Sequence, residues 1–414
     1  MKKTKIALVL GLVLVFAITL AFVPGCKAET AETTAAATTA AATTAAPETT
    51  AAETAAAETT AAPLVHSNAA EFTKLADVAD LKTYYATYGV TCDCTFTGPG
   101  GVVSVNGLPE VMPTPNEPYK IGLALYFTID ETGANVLAGT QAAAEQMGVE
   151  LLVNDANYDQ AKQDQAVEQW ILEGIDGVVF YPADFSACGP ILQKLLDAGI
   201  PVMCGNPPLT ASTVNSVFTI DNVEIGRIGA QLLLDTILAN GGKLEGTVVF
   251  QNIPFLHPNA ATRKAGFVEV MSKQPLIKVI ELTGLTPEDH YKAFDGAMQA
   301  YPDMIGAWGL YSSAIVGMSN ARKAAGATMP LVGVDSDRII QSMIYNGEVV
   351  GTVGYNAFNH AYWTINNLVN ILNGVEDYPG QIIGPLDTIV KDNVEEMFEK
   401  NFPGETVQGY LEGQ

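Results

Sequence analysis

From Tyr119 onward, apolar and polar positions alternate in blocks of two kinds. The run "YKIGLALYF" is short, nearly all apolar and rich in strand formers. "GANVLAGTQAAAEQMG" then places apolar residues at helical spacing and closes on Gly148. The same succession follows in "VELLVND", a two-faced helix over Gln160–Glu173, "DGVVFYP", a helix over Pro190–Ala198, and "IPVMCGN". After "VFTIDN" the series restarts with a helix over Glu224–Asn240. It continues through "GTVVFQ", a helix near Thr262–Met271, "IKVIEL", a helix near Pro287–Ala300, "IGAWGLY", a helix over Ala314–Ala325, and "MPLVGVD". Apolar runs bounded by turns and separated by helices of 10–15 residues are the mark of βαβ units around buried parallel sheets. The pattern predicts an α/β protein of two doubly wound lobes.

The stretch before Tyr119 breaks the rhythm. Lys2, Lys3 and Lys5 precede an uncharged run from Ile6 to Val23, closed by Pro24 and Gly25, as in an export signal. The run is also long enough to be a membrane-spanning anchor. "VPGC" resembles the bacterial lipobox, in which the chain is cut before the cysteine and that cysteine, here Cys26, is lipidated. Val23 and Pro24 depart from its commonest residues. Residues 26–63 are then a tether, because a segment of Ala, Thr and Glu has almost no apolar side chain to offset the entropy of ordering. Both readings put the protein on the outer face of the cell membrane. Residues 64–118 are an extension of unknown role, either a hairpin or an ordered segment with a Cys-Cys clamp.

Charge and cysteines narrow the function. The 414 residues carry a formal charge of −24, which excludes nucleic acid as a partner, since phosphate binding needs a basic face. Besides Cys26 there are Cys92, Cys94, Cys188 and Cys204. Three pairings are open, and the position of Cys188 and Cys204 after successive strands favours that bridge. The four histidines are scattered without metal-ligand spacing. No nucleophile elbow, phosphate loop or dinucleotide fingerprint is present. The expectation is a binding protein, not an enzyme, with no cofactor or metal.

In open parallel sheets, ligands bind beyond the carboxyl ends of the strands. The residues there include Phe127, Asp130, Tyr181, Asn206, Tyr311, Asp335 and Tyr355. Carboxylates and amides pair with vicinal hydroxyls, and aromatic rings cover the apolar faces of a sugar. Each has a plainer reading. Asp335 can cap the following helix, and Asn206, before Pro207 and Pro208, can simply form a turn. Tyr126 and Phe127 point opposite ways in an extended strand, so one faces the cleft, with Phe127 preferred. Trp308, inside a strand, reads as core. Asp221 and Asn222 mark the junction of the lobes and suit a hinge as well as a site.

The order of "IGLAL", "GVVFYPAD", "AGIPVMCGN", "TIDNVEIGRIGAQLL", "ATRKAGF", "PLVGVDSD" and "GTVGYN" resembles type I periplasmic sugar-binding proteins of the ribose-binding kind, over Tyr119–Lys391. The resemblance implies a three-crossover hinge near Asp221–Asn222, Tyr355–Asn356 and Gly384–Asp387. It divides the chain into one lobe of residues 119–221 plus 356–386 and another of 222–355 plus 387–414. It also implies a monomer that closes on a sugar or related small polar ligand and delivers it to an ABC transporter permease. The alternatives are a sensory receptor serving a membrane kinase or chemoreceptor, or a binder of a nucleoside or autoinducer. DNA-binding repressors share the two-lobe core, but the export signal excludes them.

Residue by residue, the resemblance assigns ligand contacts to Asp335, Asp130 and Arg263. Asn206-Pro207 stands where the family has Asp-Arg, and Ala261 where it has an arginine. Tyr311 replaces an Asn, Tyr355 a Gln, and Thr132-Gly133 an aromatic pair. Two clamp arginines are missing and two tyrosines added, which suits a ligand larger or less polar than ribose.

Overall fold

The computed structural model describes residue 75 and residues 81–255 and 257–414. Cys26, the export segment and the Ala/Thr/Glu-rich stretch lie outside the described residues. The strands of the first sheet region are β1 (Cys94–Phe96), β2 (Val102–Ser104), β3 (Lys120–Leu125), β4 (Glu150–Asp155), β5 (Gly177–Phe180), β6 (Val202–Cys204), β7 (Ser212–Val214) and β8 (Ser216–Thr219). Those that follow are β9 (Gly246–Asn252), β10 (Ile277–Thr283), β11 (Met304–Gly309), β12 (Leu331–Val334), β13 (Gly351–Gly354), β14 (Gln381–Ile383) and β15 (Asp387–Val390).

Two sheets form the lobes. One has seven strands in the order β2-β14-β8-β6-β5-β3-β4, all parallel. The other has six in the order β10-β9-β11-β12-β13-β15, parallel except for the antiparallel edge strand β15. β5, β6, β8, β12 and β13 are buried along their whole length, which is why their sequences read as continuous apolar runs. The chain passes between the sheets three times: between β8 and β9, between β13 and β14, and between β14 and β15. The fold is thus two doubly wound α/β lobes joined by three crossovers.

Local chemistry sets the helices that face the cleft. Asp130 caps the helix Glu131–Met147 by accepting from the Gly133 N–H, and Gly148 ends it at φ 72°, a conformation glycine adopts without a Cβ penalty. Asp221 caps Asn222–Ala239 in the same way through the Glu224 N–H. In the second lobe Trp308 is fully buried, its ring parallel to Phe267 at 4.7 Å.

One open sequence reading is narrowed here and another corrected. The extension is not a hairpin: β1 pairs in parallel with β7, and β2 adds a parallel edge strand to β14. Two strands that each find a partner elsewhere have no need of one another. Before them, the helix Leu81–Thr87 buries Leu81, Tyr84 and Tyr85. Tyr84 Oη donates to Asp221 Oδ1 at 2.6 Å and the Leu75 N–H to Oδ2 at 2.9 Å. The extension is therefore fastened to the first crossover.

The favoured Cys188–Cys204 bridge is absent, and both are free, fully buried thiols. Cys188 Sγ is directed toward the Phe185 carbonyl, and burial raises its pKa to about 12, an inert thiol. Cys92 and Cys94 are also buried, with their sulfurs 2.9 Å apart.

Candidate functional site

The carboxyl ends of both sheets meet across a cleft enclosing about 630 Å³, its open mouth included. From the first lobe come Tyr126, Phe127, Asp130, Thr132, Tyr158 and Asn206. From the second come Ile253, His257, Asn259, Arg263, Tyr311 and Asp335, with Tyr355 at the crossover.

The polar floor centres on Asp335. It is 6% exposed and sits at φ +79°, in the left-handed region that side chains rarely adopt. Three contacts hold it there. The Ser312 N–H and Oγ donate to Oδ2 at 3.0 and 3.2 Å, and Thr352 Oγ1 donates to the Asp335 carbonyl at 2.8 Å. Gly354 permits the close approach, since a Cβ there would lie 2.8 Å from that carbonyl oxygen. The N-cap position of Arg338–Tyr345 belongs to Asp337, whose side chain makes no capping bond.

Arg263 lies 3.9 Å from Asp335 and is itself buried. Its Nη1 donates to the Leu310 carbonyl at 3.0 Å and its Nε to Asn222 Oδ1 at 2.8 Å. Asn222 Nδ2 in turn donates to Asn259 Oδ1 at 3.1 Å, and Asn259 Nδ2 to Asn206 Oδ1 at 3.0 Å. The amides form one consistent donor-to-acceptor chain that links the lobes and fixes the guanidinium. Asn222 thus supports the site as well as marking a crossover. Asn206 spends its oxygen on this chain and keeps its NH₂ for the cleft.

The opposite wall is aromatic. Phe127 stacks on Tyr158 at 4.6 Å with planes 24° apart, and Tyr126 meets Phe127 edge-on at 4.6 Å. Both residues of that pair line the cleft, where an ideal strand would send only one. β3 ends at Leu125, so strand alternation no longer governs them. Tyr158 is brought in by a turn in which Asn157 and Tyr158 both have positive φ and the Tyr158 N–H bonds to the Tyr126 carbonyl at 2.8 Å.

Tyr311 closes the cleft from the second lobe. Its hydroxyl donates to the Leu285 carbonyl at 2.8 Å and lies 2.9 Å from His290 Nε2, so the ring is what it presents to the cleft. Burial lowers His290 to about 4 and His257 to about 3, leaving both neutral.

Tyr181 does not belong to the cleft. Its side chain is fully buried, packed beneath Gly205, where a Cβ would lie 2.0 Å from the ring. The missing side chain at Gly205 leaves room for the ring to pack inward from its strand-end position. Of the hinge residues, Asp221 holds the extension. Asn356 caps the helix Ala357–Leu372 by accepting from the Asn359 N–H.

Residues 121–376 match the family model described as the periplasmic binding protein domain. The chain belongs to the periplasmic binding protein family. A xylitol-binding protein of Mycolicibacterium smegmatis is 26% identical over 270 residues, covering 63% of this chain and 74% of that protein. A ribose import binding protein of Bacillus subtilis is 21% identical over 237 residues, covering 57% and 75%. Among solved structures, a carbohydrate transporter solute-binding protein from Agrobacterium radiobacter in complex with D-arabinose superposes with a TM-score of 0.63 at 21% identity. That match covers 68% of this chain and 97% of that one. Members of this family act outside the cytoplasm. Among the described residues, no helix is long and apolar enough to cross a membrane, and no group of His, Cys, Asp and Glu could hold a metal ion.

Proposed function

We propose that the protein captures a sugar or a related small polyhydroxy ligand between its lobes and delivers it to an ABC transporter permease. The observation that carries this reading is Asp335 with Arg263 on one side of the cleft, facing the Phe127–Tyr158 stack on the other. A carboxylate and a guanidinium at 3.9 Å offer paired acceptors and donors to adjacent hydroxyls, and stacked rings cover the apolar face of a pyranose or furanose. The relatives agree in kind, being named for xylitol, ribose and D-xylose.

Capture works by differential contact. A ligand touching both walls favours the arrangement in which Asn206 meets Asn259 and Glu131 meets Arg338 at 2.8 Å. Closure brings the two outer faces into one relationship, which a permease can read. Residues 119–221 plus 356–386 act as one moving body and 222–355 plus 387–414 as the other, in a monomer. The globule is held to the outer membrane face through lipid on Cys26 and the tether of residues 26–63, a reading supported by the basic, apolar and "VPGC" sequence before it.

A thermal-melt panel of pentoses, hexoses, polyols and nucleosides tests the reading. A ligand at a hundred times its Kd stabilises by about 2.7 kcal/mol, a shift of a few degrees. A response confined to nucleosides, or none at all, contradicts sugar capture.

A further inference from the structure

The cleft carries more negative charge than it neutralises. Asp130 and Asp335 both line it, and Arg263 is the one permanent cation among the described lining residues. That cation is committed to Asp335, to Asn222 and to the Leu310 carbonyl. His257 lines the cleft as a neutral ring, its Nδ1 accepting from the Asn259 N–H at 3.2 Å. Asp130 keeps one oxygen on the Gly133 N–H at 2.9 Å, and among the described residues no cation pairs with it. Burial, with Asp335 and Glu131 nearby, raises its pKa to about 6.

The cleft that holds this surplus charge has an aromatic wall. Tyr158 and Tyr311 line the cleft together with Asp130, burial and then the Asp130 charge raise both phenols, and Phe127 is stacked on Tyr158. The Tyr311 hydroxyl is turned away to Leu285, so it does not serve Asp130 as a donor. A carboxylate that no cation offsets, in a cleft walled by aromatic rings, is an environment that attracts an ammonium group, by direct charge pairing and by the negative faces of the rings. A neutral polyol leaves the buried charge uncompensated, whereas a protonated amine offsets it.

We propose that the physiological ligand is a polyhydroxy compound bearing a protonated amine, an amino sugar or amino polyol, with the ammonium against Asp130 among Phe127, Tyr158 and Tyr311. Its hydroxyls meet Asp335, Arg263 and Asn206. This rests on the sugar-capture reading and narrows it.

Isothermal titration of the purified full chain at pH 7.5 with matched sets tests the inference. The sets are D-glucosamine, D-glucose and N-acetyl-D-glucosamine; D-galactosamine, D-galactose and N-acetyl-D-galactosamine; and 1-amino-1-deoxy-D-sorbitol with D-sorbitol. In at least one set the amine binds about tenfold or more tightly than its neutral partner, and acetylation, which removes the charge, removes the advantage. Asp130→Asn keeps the helix cap, since an Asn oxygen also accepts from Gly133. It abolishes the amine's advantage, read as the ratio of the amine's Kd to its neutral partner's Kd in the same variant. The melting temperature of the unliganded variant serves as the folding control. If in every set that binds the neutral compound binds within about tenfold of its amine, or tighter, the amine inference is overturned and sugar capture stands. If no member of any set binds, the amine inference is overturned, and the thermal-melt panel decides sugar capture separately.

Discussion

Thr132 Oγ1, in the first turn of a first-lobe helix, lies 3.0 and 3.2 Å from the two oxygens of Asp337, at the start of a second-lobe helix. Both side chains are buried, so the contact is a latch between lobes that exists only when they are together. Asp337 also accepts from Ser312 Oγ, and burial beside Asp335 drives its pKa upward. Thr132→Val keeps the shape and removes the donor. The expected result is a loss of ligand affinity of roughly fivefold, the worth of one buried hydrogen bond, with the unliganded melting temperature little changed. An affinity equal to wild type by titration calorimetry contradicts the latch.

Asp130 makes stability depend on pH in a stated direction. Burial lifts its folded pKa to about 6 from the usual 3.8, Asp335 and Glu131 add to the rise, the Gly133 and Thr132 amides partly oppose it, and Tyr158 and Tyr311 also face it. A raised carboxylate contributes stability below the unfolded pKa and loses it as pH rises through the folded value. Asp130→Asn is therefore expected to melt like wild type at pH 4 and to be more stable by about 1 kcal/mol at pH 7, after discounting for solvent screening. Parallel melting curves at both pH values check this, and a difference that grows toward acid contradicts it.

Asp221 joins three elements: the Glu224 N–H, the Leu75 N–H and Tyr84 Oη. Asp221→Ala removes a helix cap and the anchor of the extension at once, with an expected cost of about 2–4 kcal/mol. Limited proteolysis should then cleave the extension ahead of β3 faster than in wild type. Unchanged protection means the extension is held by β1 and β2 alone.

Tyr181 and Gly205 separate packing from binding. Gly205→Ala places a methyl against the Tyr181 ring and is expected to destabilise by about 1–3 kcal/mol. Tyr181→Phe, by contrast, should leave ligand affinity within about twofold of wild type, because the ring lies outside the cleft. A large affinity loss in Tyr181→Phe returns this residue to the site.

Much of this architecture was legible because buried parallel strands read as apolar runs and their carboxyl ends locate the cleft. Asp335 and Arg263 could be named on that basis together with the family resemblance. What escaped the sequence depended on geometry with no linear signature. Tyr158 reaches the cleft through two consecutive left-handed residues that β-strand alternation does not foresee. Asn222 looked like a hinge, yet it orients Arg263 through a contact 41 positions away. Tyr181 was misplaced because the decisive feature is the missing side chain of Gly205. The extension was opaque because its strands pair with β7 and β14, one more than a hundred and the other nearly three hundred positions on.

The most direct test of the central claim is isothermal titration of the amino and neutral sugars into wild type and Asp335→Ala, with the unliganded melting temperature of each as the folding control. Sugar capture at this cleft predicts saturable binding to wild type and loss of that binding in a variant that still folds. Binding that survives intact in Asp335→Ala would contradict the site, and a wild-type protein that binds no sugar would contradict the function.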